Sequence, residues 1–123
     1  MEQEGTVIDG LGKAKYWVGK ISTIFKEKTN YNLVLGTLNI KLNEPYIINP
    51  DFIIKKEEFG GTENVLVKKC KILGKEAYIV RAEKNQKDNG EHGLDIIEIV
   101  GNVNFRETYS LKNNERIKIS LEQ

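Results

Sequence analysis

Short apolar runs that repeat every second residue constrain this chain more than any other feature. Thr37-Leu38-Asn39-Ile40-Lys41-Leu42 and Arg116-Ile117-Lys118-Ile119-Ser120-Leu121 alternate apolar and polar positions. That is the period of a strand with one face in a core and the other in water. Val65-Leu66-Val67 into Cys70-Lys71-Ile72, Ala77-Tyr78-Ile79-Val80 and Ile96-Ile97-Glu98-Ile99-Val100 read as further strands. Thr6-Val7-Ile8 and Tyr16-Trp17-Val18 flank the glycines at 10 and 12 and read as two more. Gly74-Lys75 fits a hairpin turn between two of the strands. Helical spacing is confined to Ile21, Ile24, Phe25 and Lys28, with Ser22 or Thr23 near the start. A second short helical turn is expected near Asn104-Phe105-Arg106-Glu107, and the polar stretch 85–90 reads as a loop. Six or more short strands with one or two short helices give a mainly β class. A small barrel is favoured over a sandwich because closure removes sheet edges.

A chain of 123 residues suits one domain, 1–123, and is long enough to bury a core without staples. Nineteen Lys+Arg against eighteen Asp+Glu leave +1 with the one His neutral. That balance argues against a nucleic-acid partner, which usually requires a basic excess. At 39% hydrophobic and 30% charged, the chain is too apolar for disorder, and its uncharged runs are too short for a membrane helix. One cysteine, Cys70, excludes an internal disulfide. The acidic start lacks the apolar core of a signal peptide, so the expected location is cytoplasmic.

Several groups carry possible chemistry. Cys70 and His92 lack zinc-site spacing, and Cys70 sits in an apolar strand pattern that makes it a reduced core residue. Gly10-Leu11-Gly12-Lys13-Ala14-Lys15 is a glycine turn with two lysines. Its backbone N–H groups could approach a phosphate. It is not a Walker A loop, no helix is expected after it, and a hairpin with solvated lysines would have the same composition. Thr37 and Asn39 share one strand face, opposite Leu38, Ile40 and Leu42. Their hydroxyl and amide oxygens are hard neutral ligands that suit Mg²⁺ if phosphate oxygens complete the shell. An ordinary polar strand face is the alternative. Glu98 lies within an apolar strand, where a carboxylate must be paired, protonated or beside a pocket. Arg106 follows Val103-Asn104-Phe105, and a turn bearing an arginine could receive phosphate or a base edge.

In this order and spacing, the segments resemble the CTP-dependent riboflavin kinases of archaea. The matching stretches are Glu4-Gly5-Thr6-Val7-Ile8-Asp9-Gly10-Leu11-Gly12-Lys13-Ala14-Lys15-Tyr16-Trp17 and Gly36-Thr37-Leu38-Asn39-Ile40-Lys41-Leu42. Ala77-Tyr78-Ile79-Val80-Arg81, His92-Gly93-Leu94-Asp95-Ile96-Ile97-Glu98-Ile99 and Phe105-Arg106-Glu107 with Leu111-Lys112 complete the match. Family features are replaced by Gly101-Asn102 and by Ala82, and Gly90 stands where the family has a flavin-contacting threonine.

The resemblance implies a six-stranded cradle-loop (swapped-hairpin) barrel. It also implies transfer of the γ-phosphoryl of CTP to the ribityl 5′-hydroxyl of riboflavin, giving FMN and CDP. Carried over by motif, Gly10, Leu11, Gly12, Lys13, Ala14 and Lys15 would hold the nucleotide, with Val103, Asn104, Phe105 and Arg106 closing on it. Thr37 and Asn39 would bind Mg²⁺. Glu98 would contact the flavin near its reacting hydroxyl, as an orienting group or base, with Gly90 also on the flavin side. The partners implied are the small molecules riboflavin and CTP; no nucleic acid and no membrane are expected, and the chain is expected to be a monomer. A non-catalytic nucleotide- or flavin-binding barrel and a DNA-binding barrel are the alternative readings.

Overall fold

The computed structural model describes residues 2–10, 14–88 and 93–121. The strands are β1 (Glu2–Ile8), β2 (Leu38–Leu42), β3 (Phe52–Ile54), β4 (Val65–Ile72), β5 (Lys75–Ala82), β6 (Ile96–Val100) and β7 (Arg116–Leu121). The helices are α1 (Ala14–Thr29), α2 (Lys56–Phe59), α3 (Glu83–Asp88) and α4 (Phe105–Thr108). The sheet runs β3-β4-β5-β6-β2-β1-β7, and a further β4–β7 pairing closes six of these strands into a barrel. Every pairing is antiparallel. One edge of β4 serves two partners: Val65 to Val67 face β3, while Cys70 to Ile72 close the barrel on β7. This is the mainly β barrel that the alternating runs implied, with β3 outside it.

Two apolar layers explain why some strands alternate and others do not. Leu38, Ile40, Leu42, Leu66, Cys70, Ile72, Ala77, Ile79, Ile97, Ile99, Ile117 and Ile119 fill the barrel interior. The outward residues Val65, Val67, Tyr78, Val80 and Val100 meet Val18, Ile21 and Phe25 of α1 in a second layer. Strands β4, β5 and β6 are thus covered on both sides where they read as continuous apolar runs. β7 faces water outside and keeps its alternation.

Four local expectations change. Tyr16-Trp17-Val18 is helical, not a strand, because α1 begins at Ala14. The aromatic and β-branched residues favour strand locally. Val18, however, lies on the same stripe as Ile21 and Phe25, at i, i+3 and i+7, and all three are fully buried. Burying each contributes about 1.5–3 kcal/mol, more than the propensity opposes. The stretch 85–90 is helical through Asp88, and Asn89 and Gly90 lie outside the described residues. Its order is tertiary: the Gln86 side chain accepts from Ile48 N–H and donates to Ile48 C=O. The β4–β5 turn is one residue earlier than expected, at Leu73-Gly74, with φ of 54° and 75°. Positive φ at both central residues matches a type I′ hairpin. Beyond the expected one or two helices, α2 and α3 are added.

The short helix expected near Asn104 is α4, capped by the Asn104 side chain, whose oxygen accepts from Glu107 N–H at 3.0 Å. Cys70 is buried in the barrel interior, as its strand position required. No described helix is long and apolar enough to cross a membrane.

Candidate active site

The outer face of the β2–β6 pair breaks the alternation rule at one residue. Asn39 and Lys41 both point away from the interior. Lys41 is exposed, yet Asn39 is only 5% exposed. The end of β1 covers it: Ile8 pairs with Asn39, and Gly10 lies directly against its amide. A Cβ at Gly10 would lie 2.4 Å from Asn39 Nδ2, so only glycine leaves the amide where it is.

On the other side Asn39 pairs with Glu98 of β6. Asn39 Nδ2 donates to Thr37 Oγ1 at 3.3 Å, and Thr37 Oγ1 donates to Glu98 Oε1 at 3.5 Å. Among the described residues, the buried Asn39 Oδ1 has no hydrogen-bond partner. Leaving a buried amide oxygen unsatisfied costs about 1–3 kcal/mol, so a fold that keeps one there is expected to have a use for it. Gly10 and the Thr/Asn strand therefore meet, and Glu98 stands beside them.

The glycine turn differs from its sequence reading in one respect: a helix does follow it. The 16-residue α1 opens with Ala14 and Lys15, and a helix start presents unpaired backbone N–H groups that suit an anion. Leu11, Gly12, Lys13, Gly90 and His92 lie outside the described residues.

The second expected nucleotide segment reaches this corner through Arg106. One terminal nitrogen of Arg106 donates to Ile8 C=O at 3.0 Å and the other to Asn113 Oδ1 at 2.9 Å. Arg106 thereby pins α4 and the turn before β7 to the last residue of β1. Val103 packs on the interior cluster and Phe105 is buried within it. A Cβ at Gly101 would come within 2.4 Å of the Phe105 ring, so glycine lets the chain lie flat on that ring. The side chains at 103 and 105 point into the protein, which leaves backbone groups and Asn104 to form the outer surface of the segment.

Two positioning residues carried no assigned role in the sequence. Tyr31 Oη accepts from Asn102 N–H at 2.8 Å and donates to Glu76 C=O at 3.0 Å, and Val34 N–H donates to Gly101 C=O at 2.8 Å. The stretch after α1 thus fixes the start of the 101–106 segment. Burial raises the Tyr31 hydroxyl above its usual pKa, the Asn102 N–H opposes this, and the Glu76 charge adds to it.

Arg81 is buried at the end of the barrel. Its guanidinium donates to the carbonyls of Tyr46, Leu94 and Ile96 and to Gln86 Oε1. Burial lowers its pKa, while the charges of Tyr46 and Glu98 raise it. The sequence held a signal for it: Ala77, Ile79 and Arg81 share one strand face, and the first two are interior.

Among the described residues no group of three or more His, Cys, Asp and Glu gathers as a metal cluster. The oxygens at hand are a neutral amide, a neutral hydroxyl and a carboxylate beside them. That set suits a cation arriving with phosphate oxygens of its own.

The family model CTP-dep_RFKase, described as domain of unknown function DUF120, matches residues 7–121. A protein named riboflavin kinase from Methanococcus vannielii is 35% identical, over 94% of this chain and 93% of its own length. One of the same name from Methanococcus maripaludis is 30% identical over 97% of this chain and 98% of its own length. A riboflavin kinase from Methanocella arvoryzae is 28% identical over 96% of this chain, which spans only 56% of that relative.

Proposed function

Because the chain belongs to the CTP-dep_RFKase family of riboflavin kinases, we propose that it moves the γ-phosphoryl of CTP to the ribityl 5′-hydroxyl of riboflavin. The family makes it a kinase producing FMN; the choice of CTP and the residues below belong to the proposal. The observation that carries the site assignment is the orphaned Asn39 Oδ1, buried between the glycine turn and the Glu98 strand.

Asn39 Oδ1 and Thr37 Oγ1 would hold Mg²⁺ together with phosphate oxygens of the nucleotide. Two neutral ligands would leave most of the ion's coordination to phosphate and water. When bound, the ion neutralises charge on the transferring phosphoryl group. The chain supplies position and electrostatics. Backbone N–H groups of the turn at 10–15, with Lys13 and Lys15, would hold the phosphates. The 103–106 segment, anchored by Arg106 and Tyr31, would close over the nucleotide. Glu98 would accept a hydrogen bond from the riboflavin hydroxyl and aim its oxygen at the γ-phosphorus. The new O–P bond forms as the bond to the β,γ-bridging oxygen breaks, CDP leaves, and the hydroxyl proton passes to Glu98 or water. A loose transition state makes little demand on base strength, so orientation is the larger part of the Glu98 role.

The test is incubation with riboflavin, Mg²⁺ and each of CTP, ATP, GTP and UTP, followed by chromatography for FMN. FMN formed with CTP in preference to the others supports the reading. FMN formed equally with ATP removes the nucleotide assignment, and no FMN with any of the four removes the activity.

A further inference from the structure

A metal ligand of the amide type works only if its oxygen, not its nitrogen, faces the ion. Asn39 has nothing in its own side chain to decide between the two orientations, which are related by a simple flip. We infer that Glu98 decides it, through Thr37, and is thus a positioning residue for the cation site as well as a contact for the acceptor alcohol. This rests on the metal reading of Asn39 proposed above.

The argument follows the protons. A carboxylate has acceptors only, so the one hydroxyl proton of Thr37 is committed to Glu98 Oε1. Thr37 Oγ1 can then only accept from its other neighbour, so Asn39 must present Nδ2–H to it. The same orientation leaves Oδ1 buried and, among the described residues, without a partner. It also leaves one lone pair on Thr37 Oγ1 for a cation. Gly10 keeps the arrangement in place, because any side chain there would run into Nδ2 first. At 3.3 and 3.5 Å the two contacts are long for hydrogen bonds to a hydroxyl. Such bonds are often loose before ligands arrive. Their polarity, set by the acceptor-only end, does not depend on that length.

If Glu98 served the alcohol alone, removing it would not change how the protein binds metal and nucleotide without riboflavin. The measurement is Mn²⁺ affinity in the presence of CDP and the absence of riboflavin, read by the loss of the free-ion EPR signal. Glu98→Ala releases the Thr37 proton and lets the amide take either orientation. Glu98→Gln brings an N–H donor that can reverse the whole relay. Both should weaken Mn²⁺ binding about tenfold, the effect typical of removing a group that orients a ligand. Thr37→Val should weaken it similarly and Thr37→Ser should recover most of it. Melting temperatures of the four variants separate loss of the site from loss of fold. Glu98 variants that bind Mn²⁺ like the parent, while Asn39→Ala does not, would overturn this inference and leave the metal reading standing. Parental binding by Asn39→Ala as well would overturn both.

Discussion

Two buried polar side chains sit on barrel strands separated by β6 and are treated in opposite ways. Arg81 lies inside the end of the barrel, and the four N–H donors of its two terminal nitrogens are matched by three carbonyls and the Gln86 amide oxygen. Asn39 lies outside the barrel wall, against Gly10, and its oxygen has no partner among the described residues. Burial of a polar group is tolerated when its hydrogen bonds are made. Arg81 meets that condition within the protein and so reads as structural. Asn39 does not meet it among the described residues, as the cation site proposed above requires. The difference teaches how to separate polar groups that hold a fold together from those that wait for a substrate.

If the division is right, the two positions should respond in opposite ways, and the largest effect is on stability at Arg81. Arg81→Met keeps bulk but removes the guanidinium donors from the carbonyls of Tyr46, Leu94 and Ile96, of which Leu94 C=O keeps the N–H of Tyr46. Unfolding free energy should fall by about 3–5 kcal/mol, as for other broken buried polar clusters. Urea unfolding measures it, and a loss below about 1 kcal/mol would put Arg81 among groups the fold does not need. Next comes Asn39→Ala. Turnover of riboflavin should drop about 100-fold, equivalent to about 2.7 kcal/mol of transition-state stabilisation. Stability should hold or rise slightly, since an unsatisfied buried group is removed. Parallel losses in melting temperature and rate would place Asn39 with Arg81 and dissolve the contrast. Smaller again is Gly10→Ala. The added Cβ meets the far end of a side chain rather than backbone, so the fold can accommodate it by moving the amide. A rate loss of about tenfold with a shift of melting temperature under about 4 °C is expected.

Much of the fold was legible because the interior of a closed barrel imposes period two on β2 and β7, and those runs were read correctly. The continuous runs in β4, β5 and β6 were also recognised as strands. Why they are continuous needed the second layer under α1. That layer is also what was missed in Tyr16-Trp17-Val18, because the partners of Val18 lie more than thirty residues away along the chain. Likewise 85–88 looks like a loop until Gln86 is seen bonding Ile48. In the site, Thr37, Asn39 and Glu98 were singled out as residue types on the right faces, and the structure brings them together with Gly10. What no linear reading contained was the register, Asn39 opposite both Ile8 and Glu98. Without it, a polar residue buried outside the barrel and short of a partner could not be told from a solvated one.

The smallest effect concerns a closed polar cluster that can be opened by pH alone. Tyr78 Oη donates to Glu76 Oε1 at 3.4 Å, and the ring packs edge-on against Phe25 and Tyr31 in the layer beneath α1. Burial, then the charge of Glu76 and the hydrogen bond to it, push the Tyr78 pKa up to about 12. The unfolded chain releases that proton near the ordinary value of 10. Between pH 10 and 12 the folded protein therefore binds more protons than the unfolded one, and stability must fall as pH rises through that window. A variant without the hydroxyl isolates the tyrosine. Tyr78→Phe is that variant: it loses one long hydrogen bond at neutral pH and should then decline less steeply above pH 10. Urea midpoints for the two proteins across this range make the comparison. Superimposable slopes would mean that the buried hydroxyl ionises as easily folded as unfolded, and that the layer under α1 is wetter than its packing indicates.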